Sequence, residues 1–427
     1  MNFPKSSRAL SVLALFVLLV GWQANAQTPA KKIVFATKSA EAQASAEQVV
    51  RMIETFQFGP PVLALAQKAV AADPDFAFGQ YLVWTFTPPP PQGDPKVQMD
   101  KALELAKAKA SDGERRYIEA VALVRAQKAA EALPLFKQLA QDYPGDRMVQ
   151  MMLGQVYLNT GDAESARASF ERAVQLDGST PRAYSFLGNY YLIKGESAKA
   201  RELYHTAWTK RPKGTAPFGP GYGLAYSYIY DGNIPAALKA LQTFEREYSQ
   251  STAAAEFPAV FVWNSIARLL LENGQPAEAI KAYEQGYATV PGSKLPDEEK
   301  MVWLGRLHHG KGRALAKMGK HAEAWKEAEL IKQMIDQNGE RGKQFMPAYH
   351  YIAGYLKLEG GDNAAAVEHL KQANQADLFH KLLLARAYER TGDAASAQKL
   401  YKEIVDSRDI NLERALAYPE AKKKLKG

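Results

Sequence analysis

Small and large apolar positions recur along this chain at a helical period. A Gly followed five residues later by an Ala occurs seven times, at Gly161/Ala166, Gly195/Ala200, Gly232/Ala237, Gly274/Ala279, Gly319/Ala324, Gly361/Ala366 and Gly392/Ala397. Four residues beyond each Ala stands Phe170, Tyr204, Leu241, Tyr283, Ala328, Leu370 or Tyr401. All but Ala328 are large, and that Ala marks a degenerate unit. Residues four apart share one helical face. The Ala therefore sits where two helices cross closely, and the large residue fills the space between units. The upstream Gly ends the preceding helix, because a left-handed residue closes the last turn without a Cβ clash. Asp162, Glu196, Asn233, Asp362 and Asp393 come next and can cap or charge-complement the following helix start. The pattern predicts tandem helix–turn–helix units and no sheet.

The first helix of each unit repeats as well. Leu153-Gly154 with Tyr157 precedes Gly161, Leu187-Gly188 with Tyr191 precedes Gly195, and the two units are 34 residues apart. One further period upstream lie Ala120, Leu123, Ala132, Phe136 and Pro144 in register. This resembles the tetratricopeptide repeat family, whose pattern is W-x2-L-G-x2-Y…A-x3-F…P at a period of about 34. The unit 181–214 fits best, with Tyr184, Leu187, Gly188, Tyr191, Ala200, Tyr204, Ala207 and Pro212. The resemblance covers residues 113–405 and implies an all-α, right-handed superhelical solenoid of tandem helix–turn–helix repeats.

Around that array the chain divides by composition. Lys5 and Arg8 precede an apolar run from Ala9 to Val20, and Ala24-Asn25-Ala26 offers small residues for cleavage. Residues 1–26 are thus expected to be a signal peptide cut between Ala26 and Gln27, giving a periplasmic or secreted protein. A lead segment is expected at 27–42, divergent repeats with a proline-rich insert at 43–112, regular units at 113–214, and units with longer insertions at 215–405. A C-terminal cap with a solvated lysine tail is expected at 406–427. Past the signal, no apolar stretch approaches the ~20 residues of a spanning helix.

Composition narrows the chemistry. Of 427 residues, 47% are hydrophobic and 23% charged, which suits a folded chain, and a net charge of +8 is too dilute to predict nucleic-acid binding. With no cysteine there can be no disulfide, thiolate metal site or thiol nucleophile. The seven histidines form no HExxH, no GxSxG occurs, and Gly219-Pro220-Gly221 reads as an inter-repeat loop. No catalytic constellation, metal site or cofactor is expected, and the chain reads as a non-enzyme.

What remains is surface. In the family, the inner groove is lined by the first helix of each unit. Carried over by position, the resemblance implies Tyr117, Met151, Gln155, Asn159, Asn189, Tyr222, Tyr226 and Tyr230 in the first half of the groove, and Arg268, Arg313 and Arg386 in the second. The first group suits the apolar part of an extended ligand, and the second suits acidic groups. The expected function is an exported scaffold binding a protein or extended peptide. The alternative is a carbohydrate- or peptidoglycan-associated envelope factor stacking sugars on aromatic faces.

Overall fold

The computed structural model describes residues 30–88 and 93–426. The signal segment and all but Pro88 of the proline run lie outside the described residues. Among those described there are helices and no strands.

The helices alternate as antiparallel pairs. In chain order they are α1 (Ala40–Glu54) and α2 (Pro60–Ala72), α3 (Ala77–Phe86) and α4 (Pro95–Lys109), α5 (Asp112–Arg125) and α6 (Ala129–Asp142), α7 (Arg147–Thr160) and α8 (Ala163–Leu176), and α9 (Pro181–Ile193) and α10 (Ser197–Thr209). Then come α11 (Phe218–Tyr230) and α12 (Ile234–Ser249), α13 (Val260–Glu272) and α14 (Pro276–Ala288), and the longer α15 (Asp297–Lys317) and α16 (His321–Gln337). A single turn, α17 (Gly339–Gly342), leads to α18 (Met346–Glu359) and α19 (Asn363–Gln372), then α20 (Leu378–Thr391) and α21 (Ala394–Asp406). One unpaired helix, α22 (Leu412–Lys424), closes the chain. The pairs stack into a right-handed superhelical solenoid.

Local chemistry explains the pairing. Gly161 and Gly392 end α7 and α20 in the left-handed region, at φ 95° and 87°. Asp162 and Asp393 then accept hydrogen bonds from the Ser165 and Ser396 N–H groups and cap α8 and α21. Within a unit, a Cβ on Gly188 would lie 2.7 Å from Cε1 of Tyr204, so glycine is what lets the two helices approach. Ala166, Ala200 and Ala237 are fully buried at the crossings, with Phe170, Tyr204 and Leu241.

The lead segment straps the first four pairs together. Phe35 stacks on Phe78 with ring centroids 3.8 Å apart. The Ile33 N–H donates to Asp146 at 3.1 Å, and the fully buried Glu114 accepts from the N–H groups of Ala36 and Phe78 at 3.1 and 3.0 Å. At the other end, α22 turns inward and lies against α11, α20 and α21. It buries Leu412, Arg414, Ala415, Ala417, Tyr418 and Ala421, so the expected solvated cap holds only for the exposed tip, Lys423 to Lys426. No helix among the described residues is long and apolar enough to cross a membrane.

Candidate functional site

The first helices of the pairs line the inner face, and α22 divides that face into two unlike halves. The proximal half is open. There α1, α3, α5, α7 and α9 surround a cleft of about 610 Å3.

Tyr117, Met151, Gln155 and Asn159 all border this cleft. Tyr117 is a wall: it is 2% exposed and meets Tyr81 and Phe136 edge-on, with centroids 5.9 and 6.1 Å away. Burial first, then the neighbouring Tyr81 and Asp146, push its hydroxyl well above the ordinary tyrosine pKa, so it stays neutral. Met148, Met151 and Met152 form an adaptable apolar wall on successive faces of α7, with Gln155 and Asn159 one and two turns further along. An apolar body with a few amides above it is a surface for side chains plus backbone.

The cleft is also cationic. Arg125, Arg147 and Arg182 line it, against one carboxylate, Glu54. Glu54 pairs with Arg147, which also holds Asp177. Burial raises the Glu54 pKa above the ordinary carboxylate value, and the attraction of Arg147 and Arg182 only partly opposes it.

In the distal half the chain engages its own arginines, which corrects the expectation that they stand open to a ligand. Arg268, 9% exposed, pairs with Glu413 of α22. Arg386 donates to both oxygens of Glu420 of α22. Arg313, 4% exposed, donates to the hydroxyls of Tyr283 and Tyr351 at 2.8 Å each and acts as an internal strut. The tyrosines are engaged too. Tyr230 stacks on Tyr418 at 4.7 Å and accepts from Arg414. Tyr222 stacks on Tyr226 at 5.5 Å and donates to the Phe261 carbonyl at 3.2 Å. Tyr226 is 8% exposed, and Asn189 accepts from the Tyr204 hydroxyl at 2.7 Å. The eleven inner-face residues thus separate into four at an open cleft and seven in internal contacts.

Arg182 and Arg125 line the cleft as well. Arg182 lies seven residues before Asn189 on α9, and Arg125 eight after Tyr117 on α5, in the same inner-face register. Glu54, Tyr81 and Phe86 come from the divergent first pairs, where the Gly/Ala landmarks are missing. Among the described residues no group of three or more His, Cys, Asp or Glu could hold a metal ion.

This architecture is that of a tandem-repeat helical scaffold. The tetratricopeptide repeat family model matches residues 117–181, 151–214 and 222–294, so these units are tetratricopeptide repeats. Cellulose synthase 1 operon protein C of Komagataeibacter xylinus is 23% identical over 307 residues, covering 65% of this chain and 21% of the relative. The match thus spans about a fifth of that relative's length. Among solved structures, a tetratricopeptide repeat protein from Parabacteroides merdae ATCC 43184 is 17% identical with a TM-score of 0.47, covering 64% of this chain and 98% of that one. PilW, a type IV pilus biogenesis factor, is 13% identical with a TM-score of 0.40, covering 52% and 94%.

Proposed function

We propose that the protein is an exported, non-catalytic scaffold that holds a segment of a partner protein in the proximal cleft. The observation that carries this is the contrast between the two halves of one inner face. In the distal half the chain's own α22 lies against α11 and α20, while the proximal half leaves methionine and aromatic surface open beside Gln155 and Asn159. Open apolar surface in a concave, otherwise polar setting marks an interaction site. Export rests on the basic, apolar and small-residue sequence of residues 1–26.

A second reading comes from the Komagataeibacter relative, whose name places that protein in a cellulose synthase operon. On this reading the protein is a polysaccharide-associated envelope factor. The cleft's methionine-rich wall favours peptide over sugar, and its two tyrosines, Tyr81 and Tyr117, present almost no open ring face.

Gln155→Trp tests the proposal. Gln155 is half-buried on the cleft wall, so an indole there fills the cleft without disturbing the helix crossings. Partner capture from an envelope extract should fall about tenfold or more, equivalent to ~1.4 kcal/mol, with helicity unchanged. Undiminished capture overturns the assignment of the cleft.

A further inference from the structure

Among the described residues, two arginines at the cleft have no carboxylate within ion-pair distance. Arg182, on the first turn of α9, makes no hydrogen bond or ion pair among the described residues, and its guanidinium lies 5.5 Å from the Phe186 ring centroid. Burial is the strongest influence on it and pulls its pKa below the ordinary arginine value, while Tyr117, Tyr81 and Glu54 oppose that shift, and its side chain is half-buried at the cleft. Arg125 stands at the exposed mouth, 5.7 Å from the Trp84 ring. Arg147 differs from both, because Glu54 and Asp177 already hold it.

The surroundings add to the imbalance. Thr180 and Ala183 of the α9 N-terminal turn border the same cleft, and no side chain caps that turn. Its open N–H groups and the positive end of the helix dipole favour an anion there. Tyr81 and Tyr117 beside Arg182 bring hydroxyls rather than carboxylates, and Glu54, which attracts it through space, is already paired with Arg147.

The distal half shows what its own inner-face arginines receive. Glu413 of α22 sits on Arg268, Glu420 sits on Arg386, and Tyr418 stacks on Tyr230 between them. An amphipathic segment carrying carboxylates among apolar residues is therefore already seated on one half of this face. The arginine of the other half waits in an open cleft.

We propose that Arg182, assisted by Arg125 at the mouth, forms a carboxylate-receiving subsite, and that the partner segment in the cleft carries an Asp or Glu flanked by large apolar side chains. The proposal rests on the reading of the cleft as the partner site and names the chemistry of that partner. A carboxylate fits the guanidinium by paired N–H donors, and the methionine wall adapts to the flanking residues.

The test pans the full chain from Gln27 against displayed short peptides, with Gln155→Trp as the cleft-blocked control. Enriched peptides should carry an acidic residue between Leu, Met or Phe, and should be lost on the blocked control. Replacing that residue by its amide should weaken the best peptide about tenfold on the native protein, and by little on Arg182→Met, in a double-mutant cycle. Arg182→Met removes an unpaired enclosed cation, so its melting temperature should not fall. Enriched peptides without an acid, or acid-to-amide discrimination that survives Arg182→Met, overturn the proposal while leaving the cleft as a peptide site. Binding of dodecanoate in preference to every peptide makes the occupant an acyl chain and also overturns it. Failure to enrich any peptide sensitive to Gln155→Trp overturns the cleft reading itself.

Discussion

Arg386 on α20 donates two hydrogen bonds to Glu420 on α22, from Nε to Oε1 at 2.9 Å and from Nη2 to Oε2 at 2.5 Å. This two-point contact, together with Glu413 on Arg268, turns the last helix from an outer cap into one that lies against α11 and α20 in the distal half. The two pairs differ in exposure, and that difference orders their energetics. The Arg268 side chain is 11% exposed and that of Arg386 27%. Glu413→Ala leaves an almost fully buried guanidinium uncompensated, a loss of ~3–5 kcal/mol. Glu420→Ala leaves one that water can reach, and should cost ~1 kcal/mol. Urea unfolding of the two variants checks the order, and equal losses would mean that α22 is not seated as described.

The lead segment gives a second expected outcome. Glu114 is fully buried and ties it to α3 through the Ala36 and Phe78 N–H groups. Glu114→Ala leaves both donors without an acceptor, at ~1–3 kcal/mol each. Hydrogen exchange should quicken at Ala36 and Phe78 while α18 to α21 keep their protection, because a solenoid transmits damage mainly to neighbouring units.

Gly188→Ala sets two effects against each other. Alanine in place of glycine in a helix gains about 1 kcal/mol from propensity. The added Cβ would lie 2.7 Å from Cε1 of Tyr204, a fully buried ring whose hydroxyl is tied to Asn189. Overpacking of this kind costs ~1–3 kcal/mol, so the clash outweighs the propensity gain and the variant should melt below the native protein. A higher melting temperature would show that the ring yields freely.

His309 predicts a pH dependence. Burial first, then Arg313, His380 and Arg306, hold its pKa down to about 3, while its Nε2–H donates to the Ala348 carbonyl at 2.8 Å. The unfolded chain binds this proton near pH 6.5, so between that pH and about 3 it holds more protons than the folded chain. Stability therefore falls as pH drops below 6.5, by up to ~1.4 kcal/mol per unit from this group. His309→Gln should flatten the decline in unfolding midpoint between pH 7 and 5. An unchanged slope would assign the effect elsewhere.

The fold was legible because its constraints repeat in phase. One Gly188 or one Ala200 says little, but the same residue types at the same spacing many times over define a helical pair. The site was half legible. Tyr117, Met151, Gln155 and Asn159 fall together at one cleft because inner-face register depends only on position within a repeat. The occupied half was not legible, since Arg268 meets Glu413 across 145 residues of chain, a contact that no local spacing records. Free and paired arginines look alike in sequence. Arg386 was therefore read as open and Arg182 was passed over.

Site-specific photo-crosslinking in living cells tests the central claim most directly. A benzophenone amino acid at Phe58 or Asn159, both exposed at the cleft rim, reports on the proximal cleft, at Asn264 on the distal half, and at Lys239 on the second helix of a pair. The account predicts one shared partner adduct from Phe58 and Asn159, abolished by Met148→Arg, and none from Asn264 or Lys239. The same adduct from Asn264 or Lys239, with none from the two cleft positions, would contradict it.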